Sequence, residues 1–421
     1  MKDFFQNKTV LILGFGLEGK STLAILQDLS CKIVIADKNP DAVKNLPYKL
    51  YTGENYLDAL YDSDIDIIMK TPGISFKGLE IPASVRQKIT SQTDLLLRFR
   101  QNKIIGITGT KGKSTVSSLI YHILTACGKE AALIGNIGVP PLDVFGASGT
   151  VGASGTPHPT ILVCEMSCHQ LEFVQASPDV AVLLNIYEEH LDHYNSFADY
   201  RAAKENIFKY QGDGDVLIRG EDEDLPRYRA LLDTSRTKLR GEHNYNNIAV
   251  ALKVCSLFGC DEVSTIEAAQ SFEGLPHRLE LFATINGAEW VNDSISTIPR
   301  AAILAIEAFP DTDTLIIGGM DRGINYAELT NFLQNIDKTK KHDIINMIAL
   351  PDSGFKVAEM LKDSNINIFR AENMEEAVKY AMSVTKQRCI LSPAAASYGF
   401  YKNFEERGEH FKELVKCFSI T

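Results

Sequence analysis

KIIGITGTKGKST, residues 103–115, sets an apolar run against a glycine-rich turn that opens directly into a helix-forming stretch. Strand, turn and helix in that order make a phosphate-binding loop. Glycines at 109 and 112 let backbone N–H groups approach phosphate oxygens, and the positive end of the helix favours the negative charge. Lys113 is placed to reach the terminal phosphates of ATP and Ser114 to ligate magnesium, with Gly109, Thr110, Lys111, Gly112 and Thr115 completing the nucleotide-binding set. The longer Walker pattern would carry glycine where Ile107 stands, so the match is to a shorter form, TGTxGK followed by serine or threonine. A purely structural glycine turn is the bland alternative, and the order of elements argues against it.

Working outward, the preceding segment alternates strands and helix: Thr9–Leu13 and Lys32–Ala36 read as strands, 21–29 as a helix between them, and Ile65–Met69 as a further strand. The loop opens a second series, with a helix over Thr115–Cys127 and strands at Thr160–Cys164 and Val180–Asn185. After LPHRLELF (275–282) the pattern restarts with strands at 290–292, 314–317, 344–350 and 390–392 and a helix from Pro299. A chain of 421 residues exceeds one core and suggests two to four domains at roughly 100–200 residues each. The expected fold is α/β in three domains: Rossmann-like over 1–98, a central P-loop ATPase domain with a parallel sheet over 99–282, and a Rossmann-like C-terminal domain over 283–421.

GFGLEG follows the first strand, with glycines at 14, 16 and 19, and Asp37 ends the next strand; this is the spacing of a dinucleotide fingerprint. The glycines serve NAD and a uridine diphosphate equally, or simply close helix–sheet packing, and Asp37 could be a strand-end acid capping a turn. A net charge of −11 argues against nucleic acid held by bulk electrostatics. No signal peptide or apolar stretch of about twenty residues is evident, so a cytoplasmic chain without membrane insertion is expected. Eight scattered cysteines without a CxxC pair read as buried thiols rather than a zinc site. GASGTVGASGTPHPT (146–160) repeats a pentapeptide and reads as a flexible surface insertion without a catalytic role.

GITGTKGKST, GNIG (135–138), EMSCHQLE (165–172), NIYEEHLDHY (185–194), YRAAKENIF (200–208), GEHNYNN (241–247), LPHRLE and NDSIST (292–297) follow one another in the order seen in Mur ligases, so the whole chain resembles that family. GGMDRG (318–323), LSPAAASYGFYKNFEERGEHF (391–411) and the N-terminal GFG, ADK and TPGIS segments look most like the branch that adds D-glutamate.

The resemblance implies an ATP-dependent ligase joining glutamate to UDP-N-acetylmuramoyl-L-alanine through an acyl phosphate, as a monomer. It implies that Lys113 and Ser114 hold the phosphates and one of two magnesium ions, that Glu165 and His190 help hold the metals, and that Lys204 is carbamylated into an anionic, metal-facing group. Asn244, Asn247, His277, Arg278 and Asp293 match positions around the nucleotide. Gly14, Gly16, Asp37 and the Thr71–Pro72–Gly73 turn match the uridine end of the precursor, and Asn136 its muramoyl part. Thr297, Arg322, Ser397 and Phe404 match the amino-acid end, where a guanidinium suits a dicarboxylate. That branch usually reads DSKAT where this chain has Asp293–Thr297 as DSIST, so Ile295 replaces a lysine, and L-glutamate becomes an alternative substrate. A folate polyglutamate synthase-like ligase shares the central ATPase but not the N-terminal domain. A nicotinamide-dependent oxidoreductase leaves TGTKGKST without purpose, and a non-catalytic scaffold leaves Lys113, Glu165, His190 and Lys204 without one.

Overall fold

The computed structural model describes residues 1–137, 139–145, 160–190, 192–339 and 344–419; Gly138 of GNIG, Leu191 and residues 146–159 of the expected insertion lie outside the described residues. The chain divides into two compact units, Met1–Asp233 with Asn246–Gln270, and Thr234–Tyr245 with Ser271–Thr421. No described helix is long and apolar enough to cross a membrane.

The first unit holds two five-stranded sheets. In the first, β1 (Thr9–Leu13), β2 (Lys32–Asp37), β3 (Lys49–Thr52), β4 (Ile67–Lys70) and β5 (Ile89–Thr90) lie in the order β3-β2-β1-β4-β5. All four strand pairings in it are parallel. β1 reads TVLIL because both its faces are covered: Val10 and Ile12 join one apolar cluster, Leu11 and Leu13 another. The chain runs from β1 outward to β3 and then crosses to β4 on the other side. The crevice for a ligand therefore opens at the carboxyl ends of β1 and β4, where GFG and TPG stand.

The second sheet contains β6 (Lys103–Thr108), β7 (Ala131–Gly135), β8 (Ile161–Glu165), β9 (Val180–Leu183) and β10 (Val216–Arg219), ordered β10-β9-β6-β8-β7 and parallel. β6 is central, and its carboxyl end, flanked by those of β8 and β9, is the switch point of the sheet. The segments GITGTKGKST, EMSCHQLE and NIYEEHLDHY leave this edge.

The second unit carries β11 (Glu280–Ile285), β12 (Ala288–Asn292), β13 (Thr314–Gly319), β14 (Asn346–Asp352), β15 (Asn367–Arg370) and β16 (Arg388–Leu391), ordered β11-β12-β16-β13-β14-β15. β11 pairs antiparallel with β12, and the other pairs are parallel. The expected boundary at 282/283 falls inside β11, which belongs to this sheet. Its hairpin turns at Asn286 (φ 51°) and Gly287 (φ 85°), both left-handed as a two-residue hairpin loop requires.

Candidate active site

β6 ends at Thr108, and the chain turns through Gly109–Gly112 into the helix Lys113–Ala126, with Gly112 at φ 88°. Asn185, just past β9, braces the turn: its carbonyl accepts from Thr110 N (2.8 Å), its Oδ1 accepts from Lys111 N (2.9 Å), and its Nδ2 donates to Lys111 O (3.0 Å). Thr110 Oγ1 sits 2.8 Å from the Tyr200 hydroxyl and accepts from Tyr187 N at 2.9 Å. The loop is thus pre-formed. Lys113 Nζ donates to Gly109 O (3.0 Å) and Thr110 O (3.2 Å), folded back over the hollow it would share with phosphates. Burial pushes its pKa down, opposed by the charges of Glu165 and Glu189. Lys111 pairs with Glu189 at 2.7 Å. Ser114 and Thr115 open the helix, and the buried Asn247 stands beside Gly112.

Lys204, on the helix Phe197–Lys209 capped by Ser196, is 1% exposed and donates to the same Gly109 carbonyl at 2.8 Å. Two ammonium groups therefore converge on one oxygen. Burial first, and Lys113 second, bring the pKa of Lys204 down to about 8. Glu165 ends β8, where Oε1 accepts from Asn136 Nδ2 at 2.7 Å and Oε2 is buried without a partner. Gly135, at φ 100°, permits that approach: a Cβ there would come within 2.2 Å of Glu165 O. His190 holds a left-handed backbone (φ 59°) with Nε2 3.7 Å from Glu189 Oε2, and burial lowers its pKa.

Among the described residues no three His, Cys, Asp or Glu side chains gather as a metal cage. Magnesium asks for none, because it keeps waters and phosphate oxygens and takes only one or two protein oxygens. The orphaned Glu165 Oε2 fits such a ligand, with Ser114 at the helix start.

At the first sheet's crevice, Gly14 (φ 94°) packs so closely that a Cβ would meet Thr71 Oγ1 at 2.0 Å, while Gly19 abuts Gly14 O. Gly19 therefore serves packing, and Gly16 faces open space as the helix N-cap. Asp37 accepts from Phe15 N (2.6 Å) and Asn39 N (2.7 Å), so it shapes the fingerprint turn. Thr71 is anchored to Leu13 O, and Pro72 and Gly73 follow at the surface. Leu17, which sequence reasoning passed over, starts the neighbouring helix 73% exposed.

Residues 107–235 match the family model described as the Mur ligase middle domain. A UDP-N-acetylmuramoylalanine--D-glutamate ligase of Clostridium kluyveri is 31% identical, covering 98% of this chain and 98% of its own. The enzyme of the same name from Acetivibrio thermocellus is 30% identical over 98% and 97%. The chain belongs to the Mur ligase family. Among solved structures it resembles the UDP-N-acetylmuramate-alanine ligase of Thermotoga maritima (TM-score 0.56, 17% identity, 98% of this chain and 100% of that one). It also resembles the MurF ligase of the same organism, solved with ADP (TM-score 0.56, 16% identity, 100% and 97%). At those identities the likeness speaks for the α/β Mur ligase fold alone.

In the second unit of this Mur ligase, Asp293 lies fully buried after β12. Its carboxylate accepts from Leu279 N (3.2 Å), from Ser392 Oγ (2.8 Å) and from Ser296 Oγ, and burial raises its pKa to about 6. His277, at φ 62°, sets Nδ1 2.9 Å from Asn292 Nδ2, and Ile295 N donates to its carbonyl at 3.2 Å. The charge of Arg278 reaches both Asp293 and His243. Arg322, exposed, donates to Thr297 O at 3.2 Å, so these two site candidates do meet. Phe404 opens the helix Phe404–Phe418, its carbonyl accepts from Ser294 Oγ at 2.8 Å, and its ring lies 6.1 Å from His277. Ser397 is buried, with its carbonyl accepting from Tyr401 N at 3.0 Å. Asn244 Nδ2 donates to Arg240 O at 2.8 Å, a local bond at its helix start.

Three contributors were missed from sequence. Asn185 and Tyr200 brace the phosphate loop. Arg407, buried in the second unit, donates from Nε to Ser294 Oγ (3.0 Å) and from Nη2 to Ser294 O (2.7 Å) and Ala395 O (3.1 Å), tying DSIST to LSPAAAS. An arginine followed by glycine on the apolar face of an amphipathic helix was the available signal for the last.

Proposed function

We propose that this Mur ligase uses ATP to join D-glutamate to UDP-N-acetylmuramoyl-L-alanine. The observation that carries the reading is the convergence of Lys113 and Lys204 on the Gly109 carbonyl, inside a pre-formed phosphate loop, in a chain alignable end to end with D-glutamate ligases. The γ-phosphoryl group passes to the terminal carboxylate of the precursor. The glutamate amine then attacks the acyl phosphate, and the tetrahedral intermediate expels phosphate to leave an amide. Lys113 leaves its loop carbonyls for the terminal phosphates, whose charge it neutralises.

Magnesium, two ions when bound, supplies further neutralisation of the converging anions, with Ser114, Glu165, His190 and a carbamylated Lys204 as its protein contacts. The lowered pKa of Lys204 supports carbamylation, since only an unprotonated amine adds CO2. Asn247, Asn244, His277, Arg278 and Asp293 serve the nucleotide. Gly14, Gly16, Thr71, Pro72 and Gly73 receive the uridine diphosphate end, with Asp37 shaping the turn, and Asn136 the sugar. Thr297, Arg322, Ser397 and Phe404 take glutamate. The protein works as a cytoplasmic monomer, in three functional domains divided near residue 98 and ahead of β11. Calorimetry with the UDP-linked precursor and with NAD tests the first of these sites: heat is expected with the precursor and none with NAD, and tight NAD binding alone would overturn the substrate assignment.

A further inference from the structure

His190 holds a backbone conformation that an L-residue adopts only when its surroundings impose it. The restraint is visible. The His190 carbonyl accepts from His193 N (3.0 Å) and Tyr194 N (3.1 Å), so the position of residues 193–195 sets that of His190. Those residues are held from the first sheet. Ser75 Oγ donates to His193 O at 2.9 Å, and Gly78 N donates to Asn195 Oδ1 at 3.1 Å.

The His193 ring is held as well. Its Nε2 lies 3.4 Å from Glu172 Oε2, and its face lies against His169 (centroids 4.0 Å apart), whose ring in turn meets that of His190 at 4.9 Å. Glu172 Oε2 is paired with Lys70 Nζ at 3.1 Å. Lys70 ends β4, directly before the Thr71–Gly73 turn, its side chain 2% exposed and its ammonium 5.4 Å from the ring centroids of both Phe76 and Phe173. Enclosed by two aromatic rings, and with Glu18 the further carboxylate acting on it, the ammonium holds the Glu172 carboxylate close and limits its movement.

We propose that Lys70 and Glu172 are positioning residues for His190: the pair, helped by Ser75, fixes the 193–195 segment on the loop that follows β4 and so presets the histidine on the nucleotide side. The segment that receives the precursor and the one that bears His190 are thereby one mechanical unit, and precursor seated on the Thr71–Gly73 turn bears directly on metal affinity. This rests on the reading of His190 as a metal contact.

The test is Mn2+ titration of the full-length protein with ADP, read by electron paramagnetic resonance, alongside ADP affinity without metal. Lys70→Met and Glu172→Gln each leave one charge without its partner in the pair and are expected to weaken Mn2+ binding about tenfold while changing metal-free ADP affinity less than twofold. The double variant strands neither and is expected to recover to within about threefold of wild type; loss of Mn2+ affinity with metal-free ADP affinity kept is the split that a merely structural role does not give. Ser75→Ala, which disturbs no buried charge, is expected to weaken Mn2+ binding about threefold and keeps the test alive should a charge variant fail to fold. Folded single variants that bind Mn2+ like wild type, while His190→Ala does not, would overturn the inference. Unchanged Mn2+ binding in His190→Ala would instead overturn the metal reading, and the inference with it.

Discussion

A Cβ placed on Gly112 would lie 2.9 Å from Asn247 Oδ1, so a larger residue at the close of the phosphate loop displaces the asparagine side chain on the helix Glu242–Ser256. Gly112 also sits at φ 88°. Gly112→Ala is therefore expected to lose roughly 1–2 kcal/mol to backbone strain and to raise the KM for ATP, because Asn247 must move. Thermal melting and ATP kinetics check both; unchanged ATP kinetics would detach Asn247 from the nucleotide.

Lys113→Ala removes a cation whose hydrogen bonds, among the described residues, go to its own loop carbonyls. The fold is expected to survive, with a melting temperature near that of wild type, while turnover falls by about a hundredfold to a thousandfold or more, the scale of losing a group that stabilises transition-state charge. A folded variant with near wild-type turnover would contradict the phosphate-loop assignment.

Lys204 sets a pH dependence. With its pKa at about 8 rather than the ordinary 10.5, its neutral fraction near pH 7 is raised by roughly 300-fold, and it grows about ninefold from pH 6 to 7 and about fivefold from 7 to 8. At constant dissolved CO2, carbamylation and activity should rise together from pH 6 to 8 and level off above. Lys204→Ala should be nearly inactive and partly restored by a small added carboxylate. Full activity at pH 6 without carbonate would count against the modification.

Arg407→Met should cost the second unit about 1–3 kcal/mol, since it strips the hydrogen bonds from Ser294 and Ala395 in a buried setting. It should raise the KM for glutamate more than that for ATP, because the stretches it ties carry Thr297 and Ser397. Equal effects on both constants would reduce Arg407 to a general stabiliser.

How much of this was legible depended on what the sequence encodes locally. The apolar run that opens KIIGITGTKGKST is β6, Lys103–Thr108, and was legible because a central parallel strand buried on both faces is a continuous apolar run ending in glycine. β11 was not, since an edge strand half open to solvent breaks that pattern; the Asn286–Gly287 turn beside it was the readable cue. Glu165, His190 and Lys204 carry no local signature of their role. Only the family resemblance singled them out, and only the fold shows Lys204 and Lys113 reaching one carbonyl. Asn185 and the Lys70–Glu172 pair act across long sequence separations, which periodicity and spacing do not record.

The central claim is tested most directly by phosphate release from ATP with UDP-N-acetylmuramoyl-L-alanine and either D- or L-glutamate. Ile295, an aliphatic residue where the D-glutamate branch usually carries lysine, makes the choice of enantiomer the sharpest part of the measurement. Stoichiometric release is expected only when the precursor and D-glutamate are both present. Release driven by L-glutamate would contradict the substrate assignment, and no release with either enantiomer would contradict the ligase account itself.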